Sequence, residues 1–367
     1  MVNAVLVGLA LWVILSPRVL WKVLQKRVFV FDEKSRGSQA EFTRLCRFLV
    51  QKQGFELCDC PIWSNGRQLN ACLFKHPRSK LVFNFHMGRN NTLASCTSFV
   101  RMYSKFGSVF VCEPPGFGKS GGEADFLSFG NCGILTHRYL VDTLGYANDQ
   151  IIPCGDSLGA AAATAEAVWA KSRALIISAA FESMVRMAKE QMPIMRIYPE
   201  WMFPAHTRLN NLENLRQFKG ATLLLHGVRD ELISFDHARL LQSAAPDRTT
   251  LIELDAAHRD TAGSDAETFE FAVDGFLQIW LGVGGRGKHP HGSGTGAAGS
   301  GESGDGDGGD GDGAVPRLSL IVNEKPRPPG ARKVRWRKPG APRLVIDDGK
   351  PVEPVNGKKT GDPPKDH

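Results

Sequence analysis

The sequence lacks the cysteine and histidine spacings that are typical of structural metal sites. All eight cysteines fall between Cys46 and Cys154, and the pair Cys58 and Cys60 has no second pair at zinc-site separation. In a chain of 367 residues, scattered cysteines of this kind are more often reduced and buried than paired. The sequence therefore predicts no metal site and favours a reducing compartment.

The sequence also lacks a complete nucleotide-binding loop and any nucleic-acid-binding motif. Residues 116–120, GFGKS, resemble the end of a phosphate-binding loop, but that motif requires a glycine where this chain has Glu113. The formal net charge is +7, yet its densest basic cluster, residues 332–338, lies in a Pro-rich region without a nucleic-acid-binding fold pattern. We therefore expect no cofactor and no nucleic-acid partner.

No uninterrupted apolar run reaches the length of a membrane-spanning helix. The apolar residues 2–15 number 14, against about 20 for a span. The run extends to Leu24 only if the charged ends of Arg18 and Lys22 reach the membrane surface. The pattern of a cleaved signal peptide is absent, and the basic residues that follow favour a cytosolic catalytic domain. Residues 1–30 are therefore predicted to be a membrane anchor or an interfacial helix, with the chain membrane-associated.

The last part of the chain offers few residues that a core can bury. Residues 283–367 are rich first in Gly and Asp and then in Pro and basic residues. Such a composition cannot offset the entropy cost of ordering. We expect a disordered tail able to bind acidic partners or proteins, and a folded domain over residues 31–282.

Within that domain, apolar strands alternate with helical segments. The runs are almost continuously apolar, which is typical of strands covered on both faces. This order predicts an α/β fold with a mostly parallel sheet between helices. The predicted strands are 80–85, 108–112, 151–155, 174–181, 221–227 and 249–255, and the predicted helices are 92–106, 131–147, 158–172, 236–244 and 266–281. An antiparallel hairpin is expected before them, over 61–77.

Ser157 lies where a predicted strand becomes a predicted helix, in the sequence Gly155-Asp156-Ser157-Leu158-Gly159. A serine at such a turn is exposed at the tip of the sheet, and the flanking glycines let the helix pack closely. The N-terminus of the helix also favours negative charge developing at the serine. The pattern indicates a nucleophile elbow.

Two further residues complete the order that this chemistry needs. Asp230 follows the strand 221–227 and His258 follows the strand 249–255, so that Ser, Asp and His succeed one another along the chain. Among neighbouring residues, Glu231 is a rival acid, whereas Asp255 is interpreted as a turn residue. His226 and His86 are interpreted as structural.

The sequence resembles the α/β-hydrolase superfamily, and in particular its membrane-anchored serine hydrolases. Four blocks carry the resemblance within residues 55–281: FNFHMGRN, VFVCEPPGFGKSGG, CGDSLGAAAA, and LLLHGVRDELISFDHARLL with LIELDAAHRD. It implies that Ser157 attacks a carbonyl carbon, His258 accepts its proton and Asp230 orients the imidazole. Backbone N–H groups of Leu158 and of Met87 or Gly88 would then form the oxyanion hole, although Met87 stands where the family has glycine.

The resulting hypothesis is a serine hydrolase for acyl or lipid-type esters or thioesters. Residues 181–219, rich in Met, aromatic residues and Pro, are predicted to be a lid over an apolar acyl pocket, or else ordinary core. Two alternatives stay open. One is a peptidase on the same fold, and the other is a non-catalytic scaffold that uses the basic tail.

Overall fold

The computed structural model describes residues 2–29, 37–89, 92–282 and 345–346, and the fold is that of these residues. Apart from Val345–Ile346, the predicted tail lies outside them. The described helices are α1 Val2–Ile14, α2 Pro17–Val28, α3 Gln39–Phe48, α4 Thr97–Tyr103, α5 Phe126–Arg138, α6 Gly159–Ala170, α7 Met184–Gln191, α8 Asn211–Gln217, α9 Phe235–Ala244 and α10 Ala266–Leu281. The described strands are β1 Glu56–Asp59, β2 Ile62–Ser64, β3 Arg67–Leu69, β4 Ala71–Lys75, β5 Val82–His86, β6 Ser108–Cys112, β7 Ile151–Asp156, β8 Ala174–Ser178, β9 Ala221–Gly227, β10 Thr249–Leu254 and β11 Val345–Ile346.

Eight of the described strands form one sheet in the order β1-β4-β6-β5-β7-β8-β9-β10. The strands from β6 to β10 run parallel, whereas β1 and β4 are antiparallel to their neighbours. Parallel strands need crossover connections, which helices supply. The predicted mostly parallel α/β fold is confirmed.

Side chains that alternate along each strand enter separate cores on the two faces of the sheet. Phe83 and Phe85 of β5 pack with α3, α4 and α10. Leu175 and Ile177 of β8 pack instead with α6, α8 and α9. Both faces of the sheet are therefore buried under helices, and this burial explains why the strand sequences are continuously apolar.

Several element boundaries differ from the sequence-based predictions. Helix α5 begins at Phe126 and not near residue 131, because the Asp125 carboxylate accepts hydrogen bonds from the N–H groups of Leu127 and Ser128 and caps the helix there. The predicted hairpin is limited to β2 and β3, which turn at Asn65-Gly66. The following strand β4 leaves it and joins the main sheet.

The N-terminal helices lie against the domain. The Trp12 ring of α1 stacks on Tyr198 at 5.5 Å, and the Phe29 ring contacts Phe126 at 5.1 Å. Across the described part of the chain, no single helix is long and apolar enough to cross a membrane. The segments Val5–Ile14 and Pro17–Val23 meet that length and composition only together, with a bend of 41° between them.

Candidate active site

Ser157 occupies a strained turn between β7 and α6. Its φ is 52°, in the left-handed region that a residue with a Cβ rarely adopts. The glycines on either side permit this turn. A Cβ on Gly155 would lie 2.4 Å from the Gly159 carbonyl oxygen, and a Cβ on Gly159 would lie 2.0 Å from the His86 carbonyl oxygen. The geometry is that of a nucleophile elbow, in which Gly159 lets α6 approach the end of β5.

A continuous hydrogen-bond chain joins Ser157, His258 and Asp230. The Ser157 Oγ lies 3.0 Å from His258 Nε2, and His258 Nδ1 lies 2.8 Å from Asp230 Oδ2. The other oxygen of Asp230 accepts hydrogen bonds from the N–H groups of Leu232 and Ile233 at 2.9 and 2.8 Å. The carboxylate is thereby fixed in orientation, and it holds the imidazole with Nε2 toward the serine.

The neighbouring charges shift the pKa values of these groups. Burial alone would lower the pKa of His258, but its hydrogen bond to Asp230 and the negative charge of Asp156 raise it above the ordinary value. Burial would raise the pKa of Asp230, but the hydrogen bond from His258, the charge of His258 and the backbone hydrogen bonds from Ile233 and Leu232 together lower it. Burial raises the pKa of Asp156 to about 6. Its Oδ1 accepts a hydrogen bond from Ser178 Oγ at 2.6 Å.

The structure separates Asp230 from its rivals. Glu231 Oε2 accepts a hydrogen bond from the backbone N–H of His258 at 3.1 Å and so braces the loop without contacting the ring nitrogens. Asp255 forms an exposed ion pair with Arg229 at 2.7 Å. His226 is buried and donates its Nε2–H to the Ile233 carbonyl oxygen at 2.9 Å, which supports the loop that holds Asp230.

The residues predicted to form the oxyanion hole converge at the same corner. Gly88 and Leu158 both line the cavity next to Ser157. Met87 is fully buried and packs its side chain into the core, which leaves only its backbone beside the site. A methionine in place of the family's glycine therefore places no side chain in the cavity. The assignment of the N–H donors stays a prediction.

Sequence reasoning missed a buried polar cluster beneath this corner. Glu166 of α6 is fully buried and accepts hydrogen bonds from His86 Nε2 at 2.5 Å, His137 Nδ1 at 2.8 Å and Asn84 Nδ2 at 2.9 Å. Burial would raise the Glu166 pKa, but the histidine hydrogen bonds lower it. The available signals were a lone carboxylate in the small-residue helix and Asn84 in an apolar strand.

Glu113, which stands where a phosphate-binding loop requires glycine, is also explained by its contacts. Its buried carboxylate accepts hydrogen bonds from the Leu93 N–H at 2.9 Å, Asn70 Nδ2 at 2.8 Å and the Lys119 N–H at 2.7 Å. A Cβ on Gly118 would lie 2.3 Å from this carboxylate. The GFGKS segment therefore closes around the Glu113 carboxylate, which accepts the hydrogen bond of the Lys119 N–H group.

A cavity of about 640 Å³ opens beside the three residues. Ser157, His258 and Asp156 are among the residues that line it. Arg89, Arg259 and Glu41 also line it; all three are exposed, and neither arginine forms an ion pair with any residue that the structure describes. Helix α2 contributes Trp21, which sequence reasoning did not anticipate. The rest of the lining is mainly apolar and includes Phe99, Phe126, Phe181, Met184, Met187 and Phe203.

The predicted lid, residues 181–219, carries α7, α8 and short 3-10 turns, and α7 and the turn Ala205–Thr207 border this cavity. We refer to residues 181–219 as the cap segment. Met195, Tyr198 and Met202 form a small core of its own, against which Trp12 packs. Within residues 2–29, 37–89 and 92–282, no group of three His, Cys, Asp or Glu side chains is placed to hold a metal ion.

Solved structures identify the class of fold. The chain superposes on the esterase Pf2001 of Pyrococcus furiosus with a TM-score of 0.52 and 19% identity, covering 62% of this chain and 91% of that one. An alpha-beta hydrolase of Vibrio vulnificus gives a TM-score of 0.55 and 16% identity, covering 69% and 93%. No protein-family model matches the chain. The chain has the α/β-hydrolase fold, as the sequence resemblance implied.

Part of the chain is also similar in sequence to curated proteins. The chain is 30% identical over 129 residues to the phosphatidylserine lipase ABHD16A of Bos taurus, a match that covers 35% of this chain and 23% of that protein. The ABHD16A of Rattus norvegicus matches over the same length at the same identity. The match therefore spans about a quarter of the length of these relatives.

Proposed function

We propose that the chain is a serine hydrolase that cleaves acyl esters of lipid-type substrates. The observation that carries the proposal is the hydrogen-bonded chain of Ser157, His258 and Asp230, of which Ser157 and His258 line a largely apolar cavity. The fold and the lipase and esterase names of the similar proteins support it. These hydrogen bonds weigh against a non-catalytic scaffold protein, because such a protein does not need the three side chains within hydrogen-bond distance of one another.

The reaction follows from the geometry. The Ser157 Oγ attacks the ester carbonyl carbon while His258 Nε2 accepts the hydroxyl proton, and Asp230 stabilises the imidazolium. The N–H groups of Leu158 and of Met87 or Gly88 donate to the oxyanion. The ester C–O bond then breaks, and His258 gives the proton to the leaving alcohol. Water, deprotonated by His258, hydrolyses the acyl-enzyme and releases the fatty acid.

The cavity lining favours an amphiphilic substrate with an anionic headgroup. Aromatic and methionine side chains suit an acyl chain, whereas Arg89 and Arg259 offer two cations for a phosphate or carboxylate. Phospholipids and lysophospholipids combine both features. The name of the curated relatives, phosphatidylserine lipase, supports the same substrate class.

We propose further that the protein is membrane-associated, with the catalytic domain on the cytosolic side. The bent apolar helix pair at residues 5–23 and the basic residues that accompany it support this arrangement.

The test measures fatty-acid release from phosphatidylserine, lysophosphatidylserine and monoacylglycerol by the full chain in detergent micelles. Ser157→Ala is expected to lower kcat at least about a thousandfold on every substrate that the wild type cleaves. Arg89→Gln with Arg259→Gln is expected to remove the preference for anionic headgroups and to leave monoacylglycerol cleavage unchanged, with the exposed Arg216→Gln as the matched control. Activity that persists in Ser157→Ala would contradict the proposal.

A further inference from the structure

Helix α1 exposes apolar side chains around most of its circumference. Val5, Leu9, Leu11 and Ile14 are each 51–61% exposed. The cap segment shows the same feature at its tip, which we define as Ile194, Ile197 and Trp201; these are 55–61% exposed. Large apolar side chains grouped in this way mark a surface that contacts a protein or a lipid.

The two exposed surfaces are adjacent. Trp12 of α1 stacks on Tyr198, the residue next to Ile197, at 5.5 Å between ring centroids. Trp21 of α2 meets His206 of the cap segment edge to face at 5.1 Å. These contacts hold α1 and α2 beside the cap segment, so that the exposed apolar side chains of α1 lie near those of the cap tip.

The charged side chains of α2 next to this surface are all positive. Arg18, Lys22 and Lys26 follow one another at helical spacing along α2, and all three are exposed. Residues 2–29 contain no Asp or Glu. The cap tip itself is close to neutral, with Arg196 and Glu200 both exposed. An apolar surface bordered by a row of bases complements an anionic lipid surface.

We propose that α1, α2 and the cap tip together form a docking surface for an anionic lipid bilayer, so that the cap segment lies in the membrane interface with the N-terminal helices. Helix α2 and the cap segment also line the active-site cavity, through Pro17 and Trp21 of α2 and Met192 and Phe203 of the cap segment. A lipid that leaves the bilayer between them enters the cavity directly. This delivery step rests on the proposed function, whereas the docking itself does not.

The docking is tested by the fluorescence of Trp201 in the full-length protein bound to vesicles. The difference in emission between wild type and Trp201→Phe isolates Trp201. We expect lipids with brominated acyl chains to quench this emission and aqueous iodide to have little effect. The control is Trp169, whose ring contacts His137 on the domain. Its emission, isolated with Trp169→Phe, should not respond to brominated lipids.

Two outcomes would overturn the proposal. Trp201 emission that iodide quenches and brominated lipids do not would place the cap tip in water. Emission protected from both quenchers, with a larger oligomer in detergent that Trp201→Phe shifts to monomer, would identify a second copy of the chain as the occupant.

Because bases border the docking surface, we expect stronger quenching of Trp201 emission in vesicles that contain phosphatidylserine than in vesicles of phosphatidylcholine alone. In the variant Arg18→Gln/Lys22→Gln/Lys26→Gln, the two kinds of vesicle should quench Trp201 emission equally. Stronger quenching by phosphatidylserine vesicles in this variant would show that the three bases have no role in docking.

The delivery step is tested by comparing a vesicle-embedded lipid ester with a short water-soluble ester. Ile194→Ser/Ile197→Ser is expected to lower the first rate about tenfold or more, because two apolar side chains no longer enter the interface, and to leave the second unchanged. The matched control, Phe271→Ser/Ile279→Ser, alters exposed side chains of α10 and should leave both rates unchanged. Equal losses on both esters would overturn delivery. A wild type that cleaves neither ester would refute the proposed function and leave the quenching result intact.

Discussion

Replacing Glu166 with alanine should cost a large part of the stability of the fold. Its carboxylate joins α6 to β5 through His86 and to α5 through His137, and all three side chains are buried. In Glu166→Ala, His86 Nε2 and His137 Nδ1 lose their partner, whereas Asn84 keeps the Thr136 hydroxyl at 2.8 Å. Two orphaned donors at about 1–3 kcal/mol each give about 2–6 kcal/mol.

A loss of about 3–5 kcal/mol is expected, which is also the range for removing one partner of a buried ion pair. Urea unfolding of the detergent-solubilised full-length protein, extrapolated linearly to water, measures it. Glu213→Ala is the control, because the pair of Glu213 with Arg216 is exposed and should contribute less than about 1 kcal/mol. Glu166→Gln retains part of the hydrogen bonding and serves if the alanine variant does not fold. An unfolding free energy of Glu166→Ala within about 1 kcal/mol of wild type would refute the reasoning.

The backbone contact at the elbow predicts that Gly159→Ala unfolds the site or abolishes activity, because its Cβ would lie 2.0 Å from the His86 carbonyl oxygen. Gly275→Ala in α10, where nothing lies within 4 Å, should instead be neutral or stabilising by up to about 1 kcal/mol in thermal unfolding. His258 acts as a base only when it is neutral, so the rate should drop as the pH falls through the pKa of His258. Because this pKa is raised, the apparent pKa of the acidic limb should lie above the ordinary imidazole value of about 6.5. Asp156→Asn removes a negative charge that raises the His258 pKa, so the limb should move to lower pH; a limb that stays in place would contradict this electrostatic role.

The sequence predicted the central sheet well, and the Ser157, Asp230 and His258 side chains that it singled out lie within hydrogen-bond distance of one another in the structure. Both patterns are local in the sequence. A strand buried on both faces is continuously apolar, and a serine between two glycines at a strand end has few other uses. Asp230 and His258 then follow from the order of parallel strands, whose carboxyl ends meet at one edge of the sheet. Glu231 stood beside Asp230 as a rival acid in the sequence, and only the structure shows that Asp230 lies 2.8 Å from His258 Nδ1.

Tertiary contacts account for what the sequence did not predict. The binding of Glu166 by His86 and His137 depends on the packing of α6 between β5 and α5, and no local pattern records it. The role of Glu113 is likewise visible only once Asn70, Leu93 and Lys119 are brought around it. The entry of α2 into the cavity wall follows from the aromatic contacts of Trp12 and Trp21 with the cap segment.

The most direct test of the account asks whether Ser157 is an activated nucleophile. The full-length protein is treated with a fluorophosphonate, and the labelled residue is identified by peptide mass spectrometry, with Ser157→Ala and the neighbouring Ser178→Ala as paired variants. If Ser157 is activated, we expect stoichiometric labelling of Ser157 in wild type and in Ser178→Ala, and no labelling in Ser157→Ala. A folded wild type that remains unlabelled, or label on another residue, would contradict the claim that Ser157, His258 and Asp230 form a working catalytic site.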